Sequence, residues 1–278
     1  QTMSGAVYVF KKNNNEWLYH SKIIPSEPWG GQFFGEKLFI SGDWLAVNAP
    51  NLYDGIVYLY KFENGTWKEY QKIKPNPLEY NDKFGMAISL SNNQLVLTTR
   101  SGNDANEYIL VYELIDNIWK NTAKITPPDK FFYYFGGTPS TSIDIYGNQI
   151  VVSYPIRALE DKYCSLIYVF EKNNGTWVNK LRIVKQDEKE WGSYGMNLAI
   201  TENFFILGNI QNDIKGESSG SAHIFIRKDL ANIISGRIYQ DFDKDCKLGD
   251  SDKPLKNWLV KAEPSSFYAL TDEKGEYN

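Results

Sequence analysis

Val57-Tyr58-Leu59-Tyr60-Lys61-Phe62-Glu63-Asn64-Gly65-Thr66-Trp67 is the stretch whose reading decides the fold. Its β-branched and aromatic start reads as a strand, and Asn64-Gly65 supplies the positive φ angles of a tight hairpin turn before a second strand opens on Trp67. The pattern returns along the chain. Val7-Tyr8-Val9-Phe10, Ile109-Leu110-Val111-Tyr112, Ile167-Tyr168-Val169-Phe170 and Ala222-His223-Ile224-Phe225 repeat the first strand. In the first four copies a tryptophan stands seven residues after the last aromatic: Trp17, Trp67, Trp119 and Trp177, separated by 50, 52 and 58 residues. The turns between are Asn13-Asn14-Asn15, Asn64-Gly65, Asp116-Asn117 and Asn174-Gly175.

Further landmarks keep the same phase. Each tryptophan is followed by an aromatic-glycine pair: Phe34-Gly35, Phe84-Gly85, Phe135-Gly136 and Tyr194-Gly195. After each pair comes a short alternating stretch, a polar turn and an apolar strand, as in Met86 to Leu90, Ser91-Asn92-Asn93 and Gln94 to Leu97. Each unit is therefore four short strands, with almost no helical periodicity. Four strands at a period near 50 match the blade of a β-propeller. A single blade cannot bury both its faces, so blades stack, and the four phased tryptophans read as packing between them and not as ligand platforms. The expected fold is all-β, a propeller of about four blades over residues 1–228 followed by a second module over 229–278.

Composition sets limits on the chemistry. Against 8 Trp, 19 Tyr and 15 Phe the chain holds only two His and two Cys, which argues against a Cys/His zinc site or a disulfide framework. Cys164 and Cys246 read as two free thiols in preference to a disulfide. A formal charge of −4, from 30 basic and 34 acidic residues, gives no general electrostatic reason to bind nucleic acid or an anionic membrane. No apolar run approaches the roughly 18 residues of a membrane span, so no membrane insertion of this segment is expected.

The order of aromatic-glycine pair, Ser41-Gly42-Asp43 turn, Leu45-Ala46-Val47-Asn48-Ala49-Pro50 and Gly55-Ile56-Val57-Tyr58 resembles the FG-GAP repeat. Repeats of that family build the propellers of integrin α-chain heads and of many bacterial surface proteins. The resemblance covers about residues 1 to 228 and implies an FG-GAP-like propeller. Two features depart from it. Asn51-Leu52-Tyr53-Asp54-Gly55 and Gly102-Asn103-Asp104-Ala105-Asn106 lack the alternating acids of the family's calcium loops, and such propellers usually have more blades. Either a small ring closes by pairing its two ends or the chain is an excerpt of a longer multidomain protein, and the excerpt is the reading preferred.

Past Lys228 the pattern stops. Ile234-Ser235-Gly236-Arg237-Ile238-Tyr239 opens a new strand, followed by an acidic loop from Asp241 to Asp252. Asp241, Asp243, Asp245 and Asp252 take loop positions 1, 3, 5 and 12 of an EF-hand-like calcium loop, with the carbonyl of Lys247 at position 7 as a further ligand. Alternation turns successive carboxylates towards one centre, where a hard cation offsets their repulsion. Position 6, usually glycine, is Cys246. This loop, with Pro254 to Ala262 and Thr271-Asp272-Glu273-Lys274-Gly275-Glu276-Tyr277, resembles the start of an SdrD B-like domain. Such domains are calcium-binding, immunoglobulin-like β-sandwich modules of bacterial surface adhesins. The resemblance implies a partial sandwich, calcium as cofactor, and an extracellular or cell-surface location.

Catalytic motifs are missing. Glu63-Asn64-Gly65-Thr66-Trp67 and Asn173-Asn174-Gly175-Thr176-Trp177 lack the Ser-x-Asp of a sialidase Asp box, and there is no GxSxG elbow, P-loop or HExxH pair. His20 and His223 read as surface or packed residues, and no residue is assigned a catalytic role. Trp29, Tyr53, Tyr80, Tyr133, Tyr134 and Trp191 lie next to strand landmarks at the blade ends, where exposed rings suit sugars or protein partners; the competing reading is that they close the blade edges. The function expected is adhesion or ligand recognition, glycan or protein, without catalysis. Its rivals are a structural spacer in a surface filament and a glycan-cleaving enzyme with paired carboxylates at the propeller centre.

Overall fold

The computed structural model describes residues 3–50, 55–74, 83–100, 107–129, 141–159, 162–186, 194–209, 219–226, 236–242, 249–262 and 267–277. Among them there is no helix, and the fold is all-β in several small antiparallel sheets, none of them closed. The chain divides into two compact units, Gln1–Phe225 and Ile226–Asn278.

In the first unit β1 (Val7–Asn13) pairs with β2 (Glu16–Ile23). Three four-stranded sheets follow, each in simple up-and-down order. They are β3 (Leu38–Ser41), β4 (Trp44–Ala49), β5 (Ile56–Glu63) and β6 (Thr66–Ile73); β7 (Lys83–Ser91), β8 (Gln94–Arg100), β9 (Glu107–Ile115) and β10 (Ile118–Ile125); and β11 (Ser142–Tyr146), β12 (Gln149–Leu159), β13 (Lys162–Asn173) and β14 (Thr176–Gln186). A fifth sheet has β15 (Tyr194–Ile200), β16 (Phe204–Asn209) and β17 (Ser221–Ile226). The hairpin turns take the conformation their residues favour: Asn64 and Gly65, and Asn174 and Gly175, all have positive φ.

Successive sheets pack face to face, and that explains why β5 reads as an unbroken apolar run. Ile56, Tyr58 and Tyr60 enter a core shared with Val7 and Ile23 of the sheet before and with Phe34 of the connection between β2 and β3. Val57 and Leu59, pointing the other way, enter a core shared with Phe84, Ile88, Leu95 and Trp119 of the sheet after. β13 divides likewise, Leu166, Tyr168 and Phe170 facing back and Ile167 and Val169 facing forward. In the second, third and fourth sheets the even positions of the Val-Tyr-Val-Phe strand and the tryptophan thus face the preceding sheet.

Close approach accounts for the aromatic-glycine pair. Gly85 has φ of +68°, and a Cβ there would lie 2.8 Å from a methyl of Val57. Gly195, at φ +82°, would meet the Ser153 side chain.

A β-bulge recurs at one place. In the four outer hairpins the residue three positions after the tryptophan, His20, Tyr70, Thr122 and Lys180, has no partner opposite it. Such bulges add local twist to the outer strands.

The expectation that all four tryptophans are packing residues holds for three. Trp119 is buried, and Trp67 and Trp177 pack partly buried against cores, whereas Trp17 is largely exposed. The reason is positional: Trp17 faces back from the first sheet, and no described strand covers that side. Nor do the two end sheets pair with each other among the described residues.

In the second unit β18 (Gly236–Arg237) pairs with β23 (Glu276–Tyr277), β19 (Tyr239–Gln240) with β20 (Lys253–Pro254), and β21 (Leu259–Ala262) with β22 (Phe267–Leu270). Thr271 is its buried polar centre: the side-chain hydroxyl donates to the Leu255 carbonyl at 2.5 Å and accepts from the Trp258 amide at 2.9 Å.

Candidate functional site

The acidic loop is held at its base. β19 and β20 pair Tyr239 with Pro254 and Gln240 with Lys253, so Asp241 and Asp252 stand at the two ends of the loop where those strands part. Asp252 fastens the closure, one carboxylate oxygen accepting from the Phe242 amide at 3.1 Å and the other from the Gly249 amide at 2.8 Å. Each oxygen keeps a lone pair for a further partner. Asp243, Asp245 and Lys247 lie outside the described residues, as does Cys246. Among the described residues no group of three or more His, Cys, Asp or Glu side chains is placed to hold a metal ion.

Of the six aromatic candidates, Trp29 is described, and Tyr53, Tyr80, Tyr133, Tyr134 and Trp191 lie outside the described residues. Trp29 is 38 % exposed, on the connection between β2 and β3. That connection is pinned to the next sheet. The backbone amide and hydroxyl of Ser26 donate to the Glu69 carboxylate at 3.1 and 2.8 Å, and the Lys72 ammonium lies 2.6 Å from Glu27. Two anchors three and two residues ahead of Trp29 restrict where its ring can go.

The Glu27 pair has a counterpart two sheets on. Asp129 receives a bidentate contact from Arg182, at 2.7 and 3.1 Å, and a hydrogen bond from the buried Tyr168 hydroxyl. The acid stands ten residues after the tryptophan of its own unit and the base five residues after the tryptophan of the next. Arg182, by donating to Asp129, holds that carboxyl below the ordinary carboxylate range. Burial, with the Asp129 contact, pushes the Tyr168 phenol up. Lys72 similarly lowers Glu27. Acids held ionised against a cation make poor proton donors at neutral pH, so these pairs act as ties between sheets. Sequence reading missed them, although bases at Lys22, Lys72, Lys124 and Arg182 recur in phase with the tryptophans.

Asp144 is the one carboxylate among the described first strands β3, β7, β11 and β15. One of its oxygens accepts from the Ser89 hydroxyl at 2.5 Å and from the Ile145 amide at 2.9 Å; the other accepts from the Ile200 amide at 2.9 Å. Bonds to three sheets at once make it a crosslink. The histidines are held locally: His20 Nδ1 lies 3.0 Å from the Ser21 hydroxyl, and His223 Nε2 lies 3.1 Å from that of Ser221, with its ring edge-on to Tyr194.

Among the described residues no helix is long and apolar enough to cross a membrane. Compared with known proteins, the chain matches no family model and no curated protein.

Proposed function

We propose that this is a secreted or cell-surface binding protein: FG-GAP-like propeller repeats that recognise a glycan or protein ligand without catalysis, followed by an SdrD B-like module that holds calcium. The propeller reading is supported by landmarks that fall at the same place on successive sheets, with the described aromatic-glycine pairs Phe34-Gly35, Phe84-Gly85 and Tyr194-Gly195 tucked against the sheet before them. The binding reading rests on one observation: Trp29 presents part of its ring to solvent from a connection anchored by Ser26 and Glu27. A ring held in place ahead of contact loses little freedom on binding, and its apolar face suits a sugar.

Screening the chain on a glycan array and comparing it with Trp29→Ala tests this reading. Binding that drops at least about tenfold in the variant is expected. Binding to no glycan, with no protein ligand dependent on Trp29 either, rejects the recognition role. For calcium, the melting temperature is measured with and without EDTA. A fall on chelation that Asp252→Ala abolishes is expected, and an unchanged melt rejects the site.

A further inference from the structure

Phe33, on the connection between β2 and β3, holds a backbone conformation that its residue type avoids. Its φ is +52°, in the left-handed region that a bulky aromatic enters only under strain. Every other described non-glycine residue with positive φ, Met3 apart, is Asn or Asp, and the neighbouring left-handed positions 31 and 35 are glycines. The strain is enforced from both sides. Gln32 and Phe34 are buried, the Gln32 amide donating to the Tyr58 hydroxyl at 2.6 Å and the Phe34 ring lying edge-on to that of Tyr58. The Phe33 amide donates to the Met3 carbonyl, and its own carbonyl accepts from the Glu36 amide, each at 3.2 Å. Phe33 nevertheless belongs to none of the apolar cores, and its ring is 38 % exposed, as is that of Trp29 four residues ahead. Folding alone gives no reason for a strained aromatic there, since Asn or Gly would hold the same turn without strain.

We propose that Phe33 is a second contact of the site to which Trp29 belongs, and that the ligand is an oligosaccharide of at least two linked sugar rings, one against each aromatic. The inference rests on the recognition role proposed above. Four residues apart, the two Cα atoms are separated by at most about 14 Å, close enough for the rings to meet adjoining sugars. Gly30 and Gly31 between them carry no side chain, so the aromatics stand as two separate apolar platforms with backbone polar groups in between. Sugar rings, each with a small apolar face and a rim of hydroxyls, fit that pattern; a protein partner calls for a continuous apolar centre. Both platforms are held before contact, Trp29 by the anchors at Ser26 and Glu27 and Phe33 by its enforced backbone, so little freedom is lost on binding. Stability given up for a ring outside the core is the trade made at binding sites.

Calorimetric titration of the full chain with the best-bound oligosaccharide of a glycan array, and with each of its single sugars, tests the proposal. The wild type should bind the oligosaccharide at least about tenfold more tightly than any single sugar. Phe33→Ala and Phe33→Gly should each lose at least about tenfold on the oligosaccharide and bring it level with the single sugar, whereas Phe33→Tyr, which keeps the ring, should stay within about threefold of the wild type. Glycine separates contact from backbone shape. It takes the left-handed φ freely, so Phe33→Gly should melt about 2 to 4 °C above Phe33→Ala and still bind as weakly. Binding retained by Phe33→Gly means that Phe33 only shapes the backbone, and it overturns the proposal. So does a loss confined to Trp29→Ala, an outcome that leaves the recognition role standing. A chain that binds no glycan overturns it as well, and a protein ligand that then depends on Trp29 keeps the recognition role without the sugar.

Discussion

Replacing Trp119 and Trp17 by alanine, one at a time, should give very different losses of stability although the two residues hold the same place in the repeating pattern. Trp119 is 2 % exposed, in the core between the second and third sheets, with Trp44 edge-on to it. Its backbone is bracketed by the Gln71 side chain, which donates to the Trp119 carbonyl and accepts from its amide, both at 2.9 Å. Those backbone bonds survive the substitution, so the cost is that of packing. Removing a buried indole costs about 3 to 5 kcal/mol, the lost aromatic pair included. With an m-value near 3 kcal/mol/M the urea midpoint should fall by between about 1 and 2 M. Trp17→Ala exposes nothing and opens no cavity, so its effect should stay within about 0.5 kcal/mol. The assay is urea denaturation at dilutions where any self-association is negligible. Trp119→Phe adds a control: the indole N–H of Trp119 has no acceptor, so phenylalanine sheds an unpaired donor and should cost clearly less than alanine. Equal losses at the two tryptophans, or a Trp119→Ala loss under about 1 kcal/mol, would refute the stacking argument.

Three other outcomes are expected. Gly65→Ala, in a turn with open space around it, should cost about 1 kcal/mol for its left-handed φ, while Gly55→Ala should cost clearly more because its Cβ would lie 2.1 Å from the Phe84 carbonyl oxygen; urea midpoints compare them. The lowered Asp129 carboxyl contributes stability that is full above the unfolded value of about 3.9 and lost as pH falls through its folded value. Asp129→Asn should therefore be less stable at neutral pH and lose stability less steeply in acid, and a parallel acid profile would remove the pair from the account. Burial raises the phenols of Tyr60 and Tyr168, so their contribution is full below about pH 10 and fades as pH rises towards their folded values. An alkaline ultraviolet titration should show tyrosines that ionise only as the protein unfolds.

Strands and turns were legible in the sequence because each is a local matter. Asn64-Gly65 can form its turn whatever surrounds it, and Val57 to Tyr60 are β-branched or aromatic apart from the apolar Leu59. The phase of tryptophans and aromatic-glycine pairs likewise needed no coordinates. The bulges were not legible: the unpaired residue is His20, Tyr70, Thr122 or Lys180, four side chains with nothing in common, because the bulge belongs to the backbone register. The ties Glu27–Lys72 and Asp129–Arg182 join acid and base 45 and 53 residues apart, a distance only sheet stacking closes. For the candidate site, the acidic loop could be read from its alternation, and Trp29 from its place after a strand. What the sequence lacked was the pinning of Ser26 and Glu27, which makes one aromatic among several a held one.

By itself, then, the sequence determined an all-β chain of short hairpins in a repeating order, with two of the landmarks, aromatic-glycine and tryptophan, in constant phase. Tertiary structure alone decided which copies of those landmarks are buried. Trp17 and Trp119 are the same residue at the same place in the pattern, yet one is open and the other enclosed. Burial is conferred by the neighbouring sheet and not by the residue, so the same landmark residue meets different environments in the first sheet and in the middle of the stack.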